Sequence, residues 1–501
     1  MNPFLLSLIT LPFAASPIVY LAGRISIRKN SVGGLNFARI LALIVLLVEM
    51  VLVAYCLKTA LTVGGMYITI GSIDLAFDGI GLLISAVVLV LGACTMLFSF
   101  RYIRGEKGEE KFYALLLITI GCIMGMVFSY DLFNMWVWFE GMAISTYLLV
   151  AFYNEQPASL EAGFKYLVQS AAGSALVLFG IAIFFSLTGT TSFEVIWKLG
   201  IEGGTLGLIG TALLIVGFGV KAALVPLHTW LPDAHSQAPS GISAMLSGIV
   251  IEAGLVAILR VLSMTSKIGG DWGTILIAFG CVNILVGNLI ALRQHEVKRL
   301  LAYSSIAHVG YMLLGFGFAF STTLSLGAAG GFFHLITHAL MKGLAFLSVG
   351  AIMYVLFIAN EKHATLTLDD LNGISRKYPL LAICFSAALI SLAGLPPFAG
   401  FMSKWQILVA GAAAQTPLMW TVVIFAGINS VLSLAYYAPM INRMYRREPS
   451  EVVQRGKTVP WVILVPLLVL FAAILVIGVW PTSMDFITGK AAGTMMWFYL
   501  N

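Results

Sequence analysis

The chain has 501 residues, 60% of them hydrophobic and only 10% charged, with a mean hydropathy of +0.99 and a formal net charge of +6. Soluble domains carry about one quarter charged residues, so the composition excludes a soluble protein, and the length counts membrane helices instead of soluble domains. The basic excess sits in short loops, where it sets topology, and no nucleic-acid partner is expected.

Lipid admits only helices and closed barrels, because every backbone group must be bonded within the protein. Long apolar runs such as Ile40 to Leu57 exclude the barrel, whose strands alternate. The expected fold is an all-α polytopic membrane protein with about fourteen spans of ~20 residues. Met1-Asn2-Pro3 leads straight into span one, 3–23, with no basic stretch and no cleavage site, and reads as a retained helix. Span two, 38–58, carries Glu49 at mid-depth, read as a helix–helix or subunit contact. Spans three and four are 79–101 and 112–130. The five cysteines, Cys56, Cys94, Cys122, Cys281 and Cys384, form no CxxC pair, so neither an iron–sulfur cluster nor a zinc site is expected.

Span five, 132–153, holds Glu140 within Trp136-Val137-Trp138-Phe139-Glu140-Gly141-Met142. A charge at bilayer depth costs at least about 2.5 kcal/mol, so such groups mark ion or proton paths unless they are polar contacts between helices. Span six is 163–187. Span seven, 205–226, carries Lys221 about sixteen residues in, too deep to snorkel to an interface. A desolvated lysine exchanges its proton at working pH, and a movable carboxylate beside it modulates that exchange. Glu140 and Lys221 are therefore expected to pair, loading and releasing a proton as their separation changes. Span seven then runs through Pro226, His228, Pro232 and His235 to Pro239. Span eight, 241–264, carries Glu252, a relay or a static counter-ion, with Lys221 or Lys342 as its expected partner.

Span nine is 273–292. On span ten, 300–320, Ser304, Ser305 and His308 place hydroxyls and an imidazole along a wet path. Asp131, Lys298 and Arg299 lie near span ends and read as solvated charges. On span eleven, 327–357, His334, His338 and Lys342 are four apart and share one face. Imidazoles titrate near neutral pH and pass a proton between their two nitrogens, so the trio reads as a proton wire. The alternative, two core histidines, fits either residue alone. No metal site is expected, because Leu335, Ile336 and Thr337 stand where HExxH has its glutamate. Span twelve, 379–411, contains a second run of breakers, Gly394-Leu395-Pro396-Pro397-Phe398-Ala399-Gly400, and then Lys404, an exchangeable base like Lys221. Spans eleven and twelve exceed a simple crossing and are expected to be tilted or broken. Spans thirteen and fourteen are 418–441 and 460–480.

Proline breaks survive in a membrane only against protein or a hydrated cavity. Two interrupted spans about five helices apart point to two repeated halves, helices 4–8 (112–264) and 9–13 (273–441). Three N-terminal helices (1–111) and helix 14 (460–480) flank them in one membrane domain, 1–501. Loops after odd-numbered spans hold most of the basic residues, among them Arg104, Lys107, Arg299, Lys362 and Arg447. The positive-inside rule places these loops in the cytoplasm and both termini outside.

The stretch Lys221 to His235 reads Lys-Ala-Ala-Leu-Val-Pro-Leu-His-Thr-Trp-Leu-Pro-Asp-Ala-His. With Ala238-Pro239-Ser240, Lys298 to Ser305, His334 to Lys342 and Gly394 to Lys404, it resembles the signature of antiporter-like subunits. These occur in respiratory complex I, Mrp-type sodium/proton antiporters and energy-converting membrane-bound hydrogenases. The resemblance covers essentially the whole chain. It implies fourteen helices, two inverted five-helix repeats with helices seven and twelve broken, and a hydrophilic axis across the membrane plane. By position it implies Glu140 and Lys221 as the acid and base of a first half-channel, His334 and His338 as a central relay, and Lys404 as the terminal base of the second. The family usually has lysine or histidine on helix eight. Here Glu252 reverses the local field unless Lys342 supplies the central charge. The wording Pro239 to Gly248 leans toward hydrogenase or Mrp relatives.

The function implied is proton or sodium/proton translocation within a multi-subunit, redox-driven complex of the cell (inner) membrane, of hydrogenase or complex I type. Partners implied are other antiporter-like and small membrane subunits, peripheral redox subunits and membrane lipid. No cofactor is expected in this chain, with iron–sulfur clusters and a metal centre or flavin assigned to partner subunits. The alternatives are an Mrp-type antiporter subunit without redox activity, a non-conducting structural subunit, and a solute permease.

Overall fold

The computed structural model describes residues 3–29, 37–63, 66–71, 73–199, 204–360 and 364–500. Met1, Asn2 and the loop residue Lys362 lie outside the described residues. Helices α1 (Pro3–Lys29) and α2 (Phe37–Val63) are followed by a hairpin of β1 (Met66–Ile70) and β2 (Ile73–Phe77). Next come α3 (Gly79–Tyr102), α4 (Glu109–Phe128), α5 (Leu132–Val150), α6 (Pro157–Thr188), the short α7 (Phe193–Leu199) and α8 (Gly204–Lys221). After a break stand α9 (Trp230–Gln237), α10 (Ser240–Met245), a π-helical turn (Leu246–Val250) and α11 (Ile251–Met264). The second half holds α12 (Trp272–Ala291), α13 (Val297–Thr322), α14 (Ser325–Leu356), α15 (Ile374–Lys377), α16 (Pro379–Ala393) and α17 (Ala399–Ala413). It ends with α18 (Pro417–Arg446), α19 (Glu451–Arg455), α20 (Trp461–Val479) and α21 (Asp485–Leu500).

Twelve helices among the described residues are long and apolar enough to cross a membrane. The two remaining expected spans are α5 and the interrupted pair α16–α17. The chain is a helical multi-pass membrane protein, as its composition requires. Outer helices turn side chains such as Val51, Ile428 and Val479 outward, while α14 from Gly330 onward and the α10–α11 segment are enclosed. Helix α14 packs against α3, α13, α16, α17, α20 and α21 and forms the axle of the bundle.

The two breaks differ in detail but share a logic: freed backbone groups are taken up by side chains of neighbouring helices. At the first, Asn283 of α12 accepts from Val225 N at 2.9 Å and donates to Ala223 O at 3.2 Å, while Trp230 Nε1 donates to Val220 O at 2.8 Å. At the second, Lys404 Nζ donates to Leu392 O at 2.9 Å and Ser430 Oγ to Ala393 O at 3.3 Å. Gly394 turns that chain at φ +82°, a left-handed conformation glycine adopts without cost. Pro226, Pro396 and Pro397 lie within the breaks. Pro232 does not: it occupies the first turn of α9, where a helix has no N–H partner to lose.

Span eleven, expected to be tilted or broken, is the single helix α14, unbroken for 32 residues and free of proline. The hairpin, α7 and α21 were not foreseen, although Met66–Ile70 and Ile73–Phe77 are separated by two residues and pair in antiparallel register. Arg260 lies near the end of span eight. It is buried on α11, ion-paired with Asp78 at 2.6 Å, and also bonded to Tyr130 Oη at 3.0 Å and Val127 O at 2.9 Å.

Candidate functional site

The first cluster forms where α8 ends. Lys221 is 1% exposed, and its ammonium donates to Tyr166 Oη at 2.5 Å and, more weakly, to Thr146 Oγ1 at 3.4 Å. Those two hydroxyls bond each other at 3.0 Å. The Tyr166 ring stacks on Trp230 with centroids 3.9 Å apart, so α9, beyond the break, fixes the lysine's acceptor. The expected Glu140–Lys221 pair does not form an ion pair. Glu140 is half-buried and its Oε1 has no protein partner, while the lysine turns to the hydroxyls of α5 and α6. Two hydroxyls, one at short range, hold the ammonium instead, and Glu140 acts on it only through its longer-range field.

The second cluster joins the two halves of the chain. Glu252 Oε1 lies 2.7 Å from His338 Nδ1, and both side chains are fully enclosed. The partner is thus the histidine, and neither Lys221 nor Lys342. The π-helical turn immediately before α11 widens the helix just ahead of Glu252, a feature found often at functional sites. Gly254, two residues after Glu252, lets α11 close on the end of α8, where a Cβ would stand 2.8 Å from Ala222 N. Glu252 Oε2 and His338 Nε2 have no protein partner. Buried polar atoms in that position are ordinarily bonded to water.

From there the imidazoles continue. The His308 ring lies 5.2 Å from that of His338 and 5.2 Å from that of His334. His308 Nδ1 and His334 Nε2 share a hydrogen bond of 3.0 Å, and His334 Nδ1 meets Ser403 Oγ at 2.9 Å. Thr337 Oγ1 also donates to Ser403 Oγ, at 2.9 Å. Lys404 follows Ser403 in the chain, 4% exposed, its ammonium on Leu392 O and Ser430 Oγ and 4.8 Å above the Tyr311 ring. Lys342 bonds none of the histidines: it donates to Ser304 Oγ at 2.6 Å and Leu301 O at 2.8 Å. Ser304 in turn bonds Tyr437 Oη, and Ser305 bonds Ser247 Oγ at 2.6 Å.

Other expected members fall outside these clusters. His228 is buried near the edge of Tyr303, ring centroids 6.4 Å apart, and its Nδ1 has no protein partner. Glu49 is fully enclosed on α2, with neither carboxyl oxygen partnered by protein. Lys298 and Asp131 are not solvated charges. Lys298 is 2% exposed and donates to Ala238 O at 2.5 Å, and Asp131 caps α5 through Asn134 N at 2.8 Å. Arg299 is paired with Asp233. Thr146, Tyr166, Ser403, Ser430 and Tyr437 escaped the sequence reading, because hydroxyls in apolar helices carry no charge signal and their partners come from distant segments. Among the described residues no group of three or more His, Cys, Asp or Glu is placed to hold a metal ion.

The family described as NADH:quinone oxidoreductase/Mrp antiporter, transmembrane, matches residues 129–432, more than half of the chain. The chain belongs to this family. Two members of the NADH:quinone oxidoreductase/Mrp antiporter family illustrate the likeness. F(420)H(2) dehydrogenase subunit N of Methanosarcina mazei is 33% identical over 86% of this chain and 87% of its own length. NADH-quinone oxidoreductase subunit N of Desulfitobacterium hafniense is 34% identical over 72% of this chain and 73% of its own. Among solved structures of the family's fold, a chain of the archaeal membrane-bound sulfane sulfur reductase, a respiratory membrane complex, superposes with a TM-score of 0.87 at 30% identity. The match covers 98% of this chain and 97% of that one.

Proposed function

We propose that the chain is a proton-translocating, antiporter-like subunit of a redox-driven membrane complex, lying in the cell membrane with its basic loops in the cytoplasm and both termini outside. One observation carries the reading. A carboxylate–imidazole contact, Glu252–His338, joins the first half of the chain to the second, and beside it, with ring centroids 5.2 Å apart, the hydrogen-bonded row His308–His334–Ser403 leads to the segment of Lys404. Neutral imidazole accepts at one nitrogen and donates at the other, so such a row passes protons and binds no bulky solute. The two halves, 112–264 and 273–441, act as half-channels based on Lys221 and Lys404. The redox part of the reading rests on the names of the relatives, a dehydrogenase, a quinone oxidoreductase and a sulfur reductase. The electron carriers belong to partner subunits. Exchangeable lysines at the two breaks act as the reservoirs that a conformational or charge change in the neighbouring subunits fills and empties.

The test is proton transport by the intact purified complex in proteoliposomes, read as protons moved per electron transferred. His334→Gln interrupts the relay and is expected to lower transport at least about tenfold, the loss typical of a missing proton-transfer group, with the complex still assembled. Undiminished transport overturns the reading.

A further inference from the structure

His235 takes no part in the relay, although it is as deeply enclosed as any member of it. It stands on α9, the half-helix beyond the first break, with its ring flat against Phe346 of α14 at 4.6 Å and 9°. Neither Nδ1 nor Nε2 has a protein partner. An imidazole always carries at least one N–H, and leaving a buried polar atom unbonded costs about 1–3 kcal/mol. Two such atoms on one enclosed ring call for water on both sides.

The surroundings supply a route for it. Lys298 and Lys342 both lie within electrostatic reach of the ring. Lys298, fixed by its bond to Ala238 O, lines a cavity of about 80 Å³ together with Tyr102, Gln156, Ser236 and Gln237. That volume holds a few waters. Ser236 and Gln237, the next two residues after His235 on α9, stand on the cavity wall, and Lys298 on that wall is within electrostatic reach of the ring. Gln156 precedes α6, and Thr365, also on the cavity wall, follows α14, so the cavity lies at the face of the basic loops. Lys342, bonded to Ser304 and within electrostatic reach of both His235 and His338, stands near the centre of the relay.

We propose that His235 is the relay residue of a hydrated inlet that carries protons from the cavity at Lys298 to Lys342. The proposal rests on the proton-translocation reading above and adds the point at which the central lysine is loaded. Hydronium in the cavity, carrying a proton from the basic-loop face, gives it to one ring nitrogen, forming the imidazolium and leaving water. The N–H at the other nitrogen then breaks, its proton passing through water to the neutral amine of Lys342. The ring is left as the opposite neutral tautomer and resets by exchange with the same waters. No electron is transferred and no bond between heavy atoms changes.

His235→Phe keeps the aromatic face on Phe346 and removes both exchanging nitrogens. Should the larger ring prevent assembly, His235→Gln serves as the second variant. In the intact complex in proteoliposomes, either variant is expected to assemble and to move protons at least tenfold more slowly. Lys342→Met in the same assay reads the centre itself. Full transport in the His235 variants with loss in Lys342→Met overturns the inlet alone; full transport in both also overturns the proposed function. An electron cryomicroscopy map of the unmodified complex, fine enough to resolve water, is expected to show density beside both ring nitrogens, and a dry ring overturns the proposal.

Discussion

At the scale of single residues, what matters is which polar atom each buried charge has found. Lys221 found hydroxyls, not the carboxylate of Glu140. Tyr166 is the principal one, and its hydrogen bond to an ammonium belongs to the charge-assisted class, worth about 1.5–3 kcal/mol. Tyr166→Phe removes that bond and keeps the stack on Trp230. Proton transport by the reconstituted complex is expected to fall about tenfold while thermal stability of the complex changes little, since a 1.4 kcal/mol change in a rate-limiting step is tenfold. Equal transport would show that Thr146 suffices as acceptor. Much of this scale was legible in the sequence: the buried charges themselves, the spacing of His334, His338 and Lys342, and the placing of His308. Their pairing was not. Glu252 and His338 are 86 residues apart, and no local pattern distinguishes that partner from Lys221 or Lys342.

At the scale of elements, proline and glycine announced both breaks, but only packing explains why the breaks hold. The chain re-enters a helix at α17 with Gly400 so close to α16 that a Cβ would stand 1.9 Å from Ser391 O and 2.8 Å from Met341 Sδ. Gly478 of α20 seats against Pro397 O in the same way. Backbone at that distance cannot yield, so Gly400→Val is expected to abolish assembly, seen as loss of the subunit from purified membranes. The reverse case is Arg260 on α11, which ties the start of α3 and the end of α4 together through Asp78, Tyr130 and Val127. Removing one partner of a buried ion pair costs about 3–5 kcal/mol. Arg260→Met is expected to lower the midpoint of thermal unfolding of the complex without changing protons moved per electron in the fraction that remains folded. The sequence hid this tie because Arg260 lies near a span end, where charges are usually solvated, and because the hairpin preceding Asp78 is too short to register against fourteen apolar runs.

At the scale of the whole molecule, composition alone decided for a helical multi-pass protein, and the long motifs around Lys221 and His334 decided the family. The axis, in contrast, exists only once α14 stands at the centre of the bundle. One side of it carries His338 to Glu252 on α11, and another carries His334 to Ser403 on α17. Among the contacts between the halves, Glu252–His338 is the buried acid–imidazole one. A long bundle helix enclosed by neighbours on all sides is rigid, which suits a residue pair that must stay aligned while protons pass. The central claim is that protons cross between the halves at Glu252 and His338. It is tested most directly by measuring protons moved per electron in the reconstituted complex carrying Glu252→Gln, which keeps a hydrogen-bonding side chain of the same size but cannot accept a proton. The account predicts an assembled complex whose proton transport is lost; transport equal to that of the unmodified complex would contradict it.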